Sequence, residues 1–170
     1  MRVRLARNDE CHHLPEIERS AGRLFVEAGM HDVAGEEVPE PHVWEPYCES
    51  ETLWVAVDDS DRALGFLASG VQGEVLFVYE LAVAYDHQRQ GIGRALLAAA
   101  EAKAQALGLE AVYLTTFCDV PWNGPYYARL GYCVVEDADL PSQLHHVMDA
   151  ERSKWTGPDR SRCAMAKPVG

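Results

Sequence analysis

The chain has 170 residues, 48% of them hydrophobic and 9% aromatic, and a formal net charge of −12 at pH 7. That length suits a single domain spanning residues 1–170 with a sizeable core, and the apolar content excludes a disordered chain. The acid excess opposes nucleic-acid binding, and no 18-residue apolar run exists to cross a bilayer.

Val3-Arg4-Leu5 alternates and predicts a first strand. Asn8 or Asp9 then offers a cap to a helix on which Leu14, Ile17, Ala21, Leu24, Phe25 and Ala28 recur at helical spacing, with Gly29 as its stop. Residues 30–43 carry Gly35, Pro39 and Pro41 and predict a loop; Trp44 and Tyr47 follow on a short helix. Leu53–Val57, Leu64–Val71 and Val75–Val83 predict three strands, with Gln72-Gly73 as the hairpin turn into the last of them. Ile92, Leu96, Ala99, Ala100, Lys103 and Leu107 trace a helix ending at Gly108, and Ala111–Thr116 a further strand. After Pro121-Trp122-Asn123-Gly124-Pro125, residues 126–130 predict a helical turn and residues 132–136 a strand. Asp139 offers a cap to a helix bearing Leu144, Val147, Met148, Glu151 and Trp155, stopped by Gly157-Pro158, and Arg162–Lys167 predicts the last strand.

The charge is unevenly placed. Between Asp9 and Asp61 stand fifteen Asp and Glu against Arg19 and Arg23, and no Lys or Arg occurs from Leu24 to Asp61. Such a segment attracts cationic ligands or simply solubilises a surface. The five cysteines are widely spaced with no CxxC, which suits buried thiols in a reducing compartment. Residues 1–10 lack the apolar core of a leader, so a soluble, cytoplasmic protein is expected.

The chain is organised around residues 79–97, YELAVAYDHQRQGIGRALL. An apolar strand end (Leu81, Ala82, Val83) turns through Gln88-Arg89-Gln90-Gly91-Ile92-Gly93 into an Ala- and Leu-rich helix. A strand that passes through glycines into a helix N-terminus presents unpaired N–H groups and a positive dipole end to an anion. A nucleotide P-loop is disfavoured because Arg94-Ala95 follow the glycines, and a Rossmann fingerprint because Leu96 stands where its third small residue belongs.

The spacing Gln88-x-x-Gly91-x-Gly93 after Leu81-Ala82-Val83 resembles the pyrophosphate loop of the GNAT superfamily of acyl-CoA N-acyltransferases, with Tyr85 in place of the usual Pro. Tyr127 and Gly131-Tyr132 are similar to the same family's Y-x-x-x-G-F/Y ending. The resemblance implies a mixed α+β (α/β) fold of three layers: a mostly antiparallel twisted sheet of six to seven strands flanked by helices and splayed between strands four and five. It implies acetyl-CoA as co-substrate, with Leu81, Ala82 and Val83 binding pantetheine through their backbone. Gln88, Arg89, Gln90, Gly91, Ile92, Gly93 and Arg94 would form the pyrophosphate loop, and Asn123 and Tyr127 would contact the cofactor. Arg89 or Arg94 would reach a phosphate, although a solvated surface arginine is the commoner case. Val83 N–H offers an oxyanion donor.

For catalysis the resemblance implies Glu80 as general base and Tyr127 as the acid that protonates the departing thiolate. Glu80 also reads as a substrate-binding or paired carboxylate, and Tyr126 as a packing residue. His12-His13 and His145-His146 lack partners at metal-ligand spacing, so no metal is expected. Cys118 reads as a packed thiol, and Trp44, Tyr47, Glu40 and Glu45 either as an acceptor-facing wall or as surface packing. The function implied is acetyl transfer to a primary amine on a small cationic molecule, bound by Glu27–Glu51 and the insert Asp137–Ser161. The rivals are a protein lysine or N-terminal acetyltransferase and a non-catalytic acyl-CoA-binding module. Neither nucleic acid nor membrane is expected as a partner, and the family likeness allows a homodimer.

Overall fold

The computed structural model describes residues 1–157 and 160–170. Among these, seven strands join in one sheet: β1 (Arg2–Leu5), β2 (Leu53–Val57), β3 (Ala63–Gln72), β4 (Val75–Val83), β5 (Ala111–Phe117), β6 (Cys133–Val135) and β7 (Arg162–Pro168). Their hydrogen-bonded order is β1-β2-β3-β4-β5-β7-β6. The sheet is mostly antiparallel, with β4 and β5 a parallel pair. The parallel ladder joins Val75–Val78 to Ala111–Leu114, so residues 79–83 of β4 continue beyond its four paired residues. The helices are α1 (Leu14–Ala21), α2 (Arg23–Glu27), α3 (His31–Ala34), α4 (Glu45–Glu49), α5 (Ile92–Ala106), α6 (Gly124–Arg129) and α7 (His145–Lys154).

The contacts divide the chain into two compact units, Met1–Gly70 with Tyr79–Ala100, and Val71–Val78 with Glu101–Gly170. In the first, Leu14 and Ile17 of α1 pack with Val55 and Val57 of β2, Phe66 and Ala68 of β3 and Ala82 of β4. Leu14 is fully buried, and burying a side chain of that kind is worth about 1.5–3 kcal/mol. In the second, Leu144 and Met148 of the α7 region close over Val75, Phe77 and Ala164.

Five local expectations are corrected. The helix predicted through Ala28 breaks at Gly22 into α1 and α2, because glycine is a poor helix former and α2 buries none of its residues fully. The segment 30–43, expected to be a loop, holds α3 and a 3₁₀ turn at Pro41–Val43. The hairpin turn falls on Gly73-Glu74, with Gln72 still in β3 and Gly73 at φ +63°. Asp139 caps no α-helix. Pro141 keeps Leu140 extended (φ −71°, ψ 130°), so α7 starts only at His145, behind Leu144. α7 ends at Lys154, ahead of Gly157, and the other half of the expected stop, Pro158, lies outside the described residues.

Candidate active site

The first unit carries the strand end, the glycine loop and the start of α5. Gln88 Nε2 donates to the Val83 carbonyl at 3.0 Å, so the glutamine side chain braces the loop against the strand it leaves. Arg89 has φ +60° and Gly91 φ +82°; two left-handed residues in three turn the chain sharply, and Ala95 N–H then donates to Gly91 O at 3.0 Å as the helix begins. Arg89, Gln90 and Arg94 are exposed, while Ile92 is buried and anchors the loop to the core. Tyr85, at the position where the loop pattern usually has Pro, has a structural role of its own. Its N–H donates to Ser20 Oγ at 3.0 Å, its hydroxyl donates to Glu27, and the Arg23 guanidinium lies 4.1 Å from its ring centroid. The loop is thereby tied to α1 and α2. β3 approaches the end of β4 closely at Gly65, where a Cβ would lie 2.8 Å from the Ala82 carbonyl oxygen.

Glu80 is half-buried on β4 among apolar neighbours. It acts electrostatically on Glu18 of α1, a residue the motif reading passed over. Burial first, and then the charge of Glu80, push the Glu18 carboxyl up to about 8, with Arg19 opposing. The signal for Glu18 was present: it stands four residues after Leu14 and three before Ala21, on the face that the helix buries. Beside them run aromatic contacts. Trp44 meets Phe66 edge-on at 5.3 Å and Tyr47 at 6.0 Å, and Tyr47 lies 5.2 Å from Tyr79 of β4. Trp44 is only 4% exposed, so it packs in the core and is no open wall, whereas Glu40 and Glu45 face solvent. Part of the acidity of the N-terminal third is already matched by flanking arginines. Glu10 pairs with Arg4 and Arg7, and Asp61 with Arg2, Arg4 and Arg7.

The second unit carries Tyr127 and Asn123. Asn123 stands at the N-cap of α6, but its Oδ1 accepts from Thr116 Oγ1 of β5 at 2.7 Å, so its side chain braces helix to strand. Tyr127 is half-buried, with Tyr126 at 5.3 Å and Tyr132 at 6.0 Å, both edge-on. Tyr132 is buried, donates to Glu101 Oε1 at 3.0 Å and has its hydroxyl pKa raised far beyond the usual tyrosine range by burial and then by Glu101. Lys167 Nζ lies 2.8 Å from Glu101 Oε2 and completes the network. α6 can start only because residue 124 is glycine, since a Cβ there would sit 2.2 Å from the Cys118 carbonyl oxygen. The Cys118 thiol is hydrogen-bonded to that of Cys163, whose pKa is pushed up to about 12 by burial first and then by that hydrogen bond. Cys163 is buried and Cys118 half-buried.

The structure therefore brings Glu80, Val83, Gln88, Gly91, Ile92 and Gly93 together in the first unit, and Asn123 and Tyr127 together in the second. Among the described residues no three His, Cys, Asp or Glu side chains converge as metal ligands, and no helix is long and apolar enough to cross a membrane.

Comparison with known proteins bears on this geometry. The chain superposes on N-acetylglutamate synthase from Neisseria gonorrhoeae, complexed with coenzyme A and N-acetyl-glutamate, with a TM-score of 0.73 at 17% identity. That match covers 99% of this chain and 35% of the synthase, so the chain spans about a third of that larger protein. It superposes on the ribosomal-protein-S18-alanine N-acetyltransferase from Escherichia coli with a TM-score of 0.70 at 16% identity, over 99% of this chain and 94% of the other. For the PaiA N-acetyltransferase from Thermoplasma acidophilum, in complex with coenzyme A, the TM-score is 0.69 at 15% identity, over 98% of each chain. At such identities the likeness shows the fold. Residues 14–132, the greater part of the chain and the part that holds Glu80, the glycine loop and Tyr127, match the profile of the acetyltransferase (GNAT) family, and the chain belongs to that family.

Proposed function

We propose that the protein transfers the acetyl group of acetyl-CoA to a primary amine on a small cationic molecule by direct attack in a ternary complex. The observation that carries the reading is the loop itself. Its left-handed residues at 89 and 91 lead β4 straight into the N-terminus of a 15-residue helix. A helix of that length sets its first-turn N–H groups and positive dipole end toward a pyrophosphate. Residues 88–94 would hold the diphosphate, and the backbone of Leu81, Ala82 and Val83 the pantetheine arm. Gln88 serves this role as a brace, since its amide is committed to Val83. Asn123 would likewise act mainly by fixing α6 against β5, leaving Tyr127 to reach the cofactor sulfur.

In the reaction, Glu80 accepts a proton from the acceptor ammonium, through water. The amine lone pair attacks the thioester carbon, the C–S bond breaks, and Tyr127 O–H protonates the thiolate. The acidic side chains of the stretch from Leu24 to Asp61, which holds no Lys or Arg, favour a cationic acceptor by long-range attraction. The similar structures include a complex with N-acetyl-glutamate and a ribosomal-protein-alanine N-acetyltransferase, so likeness of fold leaves the acceptor to experiment. A cytoplasmic location with acetyl-CoA as the donor completes the reading.

The test is thiol release from acetyl-CoA with polyamines, aminoglycosides, amino acids and lysine peptides as acceptors. We expect turnover on a cationic small amine, falling about 10²–10⁴-fold in Tyr127→Phe and in Glu80→Gln. Turnover on peptides alone would replace the small-molecule acceptor with a protein one. Binding of acetyl-CoA with no turnover on any acceptor would leave a binding module.

A further inference from the structure

The Glu18 carboxylate plays no part in the mechanism above, yet it stands beside the residue assigned as base. α1 sets Leu14 and Ile17 into the same core cluster as Ala82 of β4. Glu18 lies one helical turn beyond Leu14, and Glu80 two residues before Ala82, so helix and strand periodicity turn both carboxylates toward that shared interface. Glu18 Oε2 is shut off from solvent and makes no hydrogen bond to any described residue. An enclosed, unpaired carboxylate oxygen is costly when ionised and tolerable when protonated.

The surrounding charges do not relieve it. Arg19, its neighbour on α1, is the cation that acts on Glu18, but it projects into solvent. From the segment before α1, Glu10 is held by Arg4 and Arg7, and Cys11 is a buried thiol. α4 contributes Tyr47 and Cys48, both with pKa raised by burial and so neutral, and Trp44 precedes it. β4 contributes Tyr79 and Glu80. The Glu18 carboxyl thus lies under the charge of Glu80 at an apolar interface, and the cation that acts on it is the solvated Arg19.

We propose that Glu18 and Glu80 hold one proton between them, resident on Glu18, so that Glu18 is a positioning residue that keeps Glu80 ionised and ready to accept the acceptor amine's proton. The proposal rests on the reading of Glu80 as base. The proton that leaves the ammonium goes to Glu80; the one on Glu18 stays in place during turnover. When alkali removes it, the pair gains a second negative charge, which raises the basicity of Glu80 and its attraction for an ammonium. The enclosed carboxylate oxygen of Glu18, with the pKa pushed up to about 8, puts that second ionisation just above neutrality.

The experiment is a ¹³C NMR titration of the full chain labelled at glutamate Cδ, with resonances assigned from Glu18→Gln and Glu80→Gln. We expect Glu18 to titrate near pH 8 in the wild type and to move toward the ordinary glutamate value, about 4.3, in Glu80→Gln. A Glu18 that titrates in the ordinary range, or that ignores Glu80→Gln, overturns the proposal. The second arm is the pH profile of kcat/KM for the acetylated amine. The wild type and Glu18→Asp should show an inflection near pH 8 that Glu18→Gln lacks, and its persistence in Glu18→Gln also overturns the proposal. Because the titration needs no substrate, a protein without amine turnover would refute the enzyme reading while the resonances still decide the carboxyl pair.

Discussion

Gly124 shows how one residue places another. The candidate acid Tyr127 owes its position to a helix whose first residue must pass within 2.2 Å, at a would-be Cβ, of the Cys118 carbonyl oxygen. Gly124→Ala should shift that turn, at an overpacking cost of about 1–3 kcal/mol. The expected readout is a Tm lower by several degrees, with weaker acetyl-CoA affinity measured by calorimetry. An unchanged Tm would mean that α6 slides freely along β5. Glycine at 124 was legible in the sequence as part of a chain break, but the carbonyl it avoids was not, because the contact forms only when the end of β5 folds back beside α6. Glu18 teaches the same lesson. Its helical face was readable from Leu14 and Ala21, while its carboxylate partner sits 62 positions away on β4.

At the scale of the elements, the glycine loop was the most legible part of the chain, since a strand, a glutamine and two glycines at fixed spacing specify a local turn. It departs from the family pattern at Tyr85, which replaces a proline that would stiffen the turn. The structure assigns that stiffness to Ser20, Arg23 and Glu27, which clasp Tyr85 from α1 and α2. Restoring the pattern with Tyr85→Pro should therefore harm the protein, because proline removes the N–H given to Ser20 along with the ring and the hydroxyl. Hydrogen exchange should quicken in residues 23–27 and leave the centre of α5 unchanged. Equal protection in α2 would show that the clasp carries no weight. The break of the predicted long helix into α1 and α2 belongs here too: the periodic stripe was real as far as Ala21, and beyond it Leu24 and Phe25 are only half-buried.

For the whole molecule, two carboxylates give opposite pH dependences of stability. Burial alone would raise the Glu10 carboxyl, but hydrogen bonds from Arg4 and from the Arg7 N–H outweigh it and hold the pKa below its ordinary 4.5. Its contribution is therefore complete above the unfolded-state value and is lost as pH falls through the lower folded-state value. Glu18 is shifted the other way, from 4.5 up to about 8, so it is neutral to stability in acid and increasingly destabilising as pH rises between those values. Thermal unfolding across pH should show Glu10→Gln less stable than wild type near neutrality, with the gap closing in acid. Glu18→Gln should gain stability relative to wild type from about pH 5 to 8. A gap for Glu18→Gln that is independent of pH would mean that its ionisation is not linked to folding.

The order of elements, the phosphate-type loop and the family likeness came from the amino-acid sequence by itself, because each rests on short-range rules: periodicity, turn residues and fixed spacing. Only the tertiary structure decided what the polar side chains do. It committed Gln88 to Val83 and Asn123 to Thr116, matched Glu10 and Asp61 with arginines, buried Trp44 in the core, and set Glu18 against Glu80. The physical reason is that hydrogen bonds and charges act across a few ångströms of space. The partners that satisfy them come from segments tens of residues apart, and no local pattern encodes which of those segments will meet.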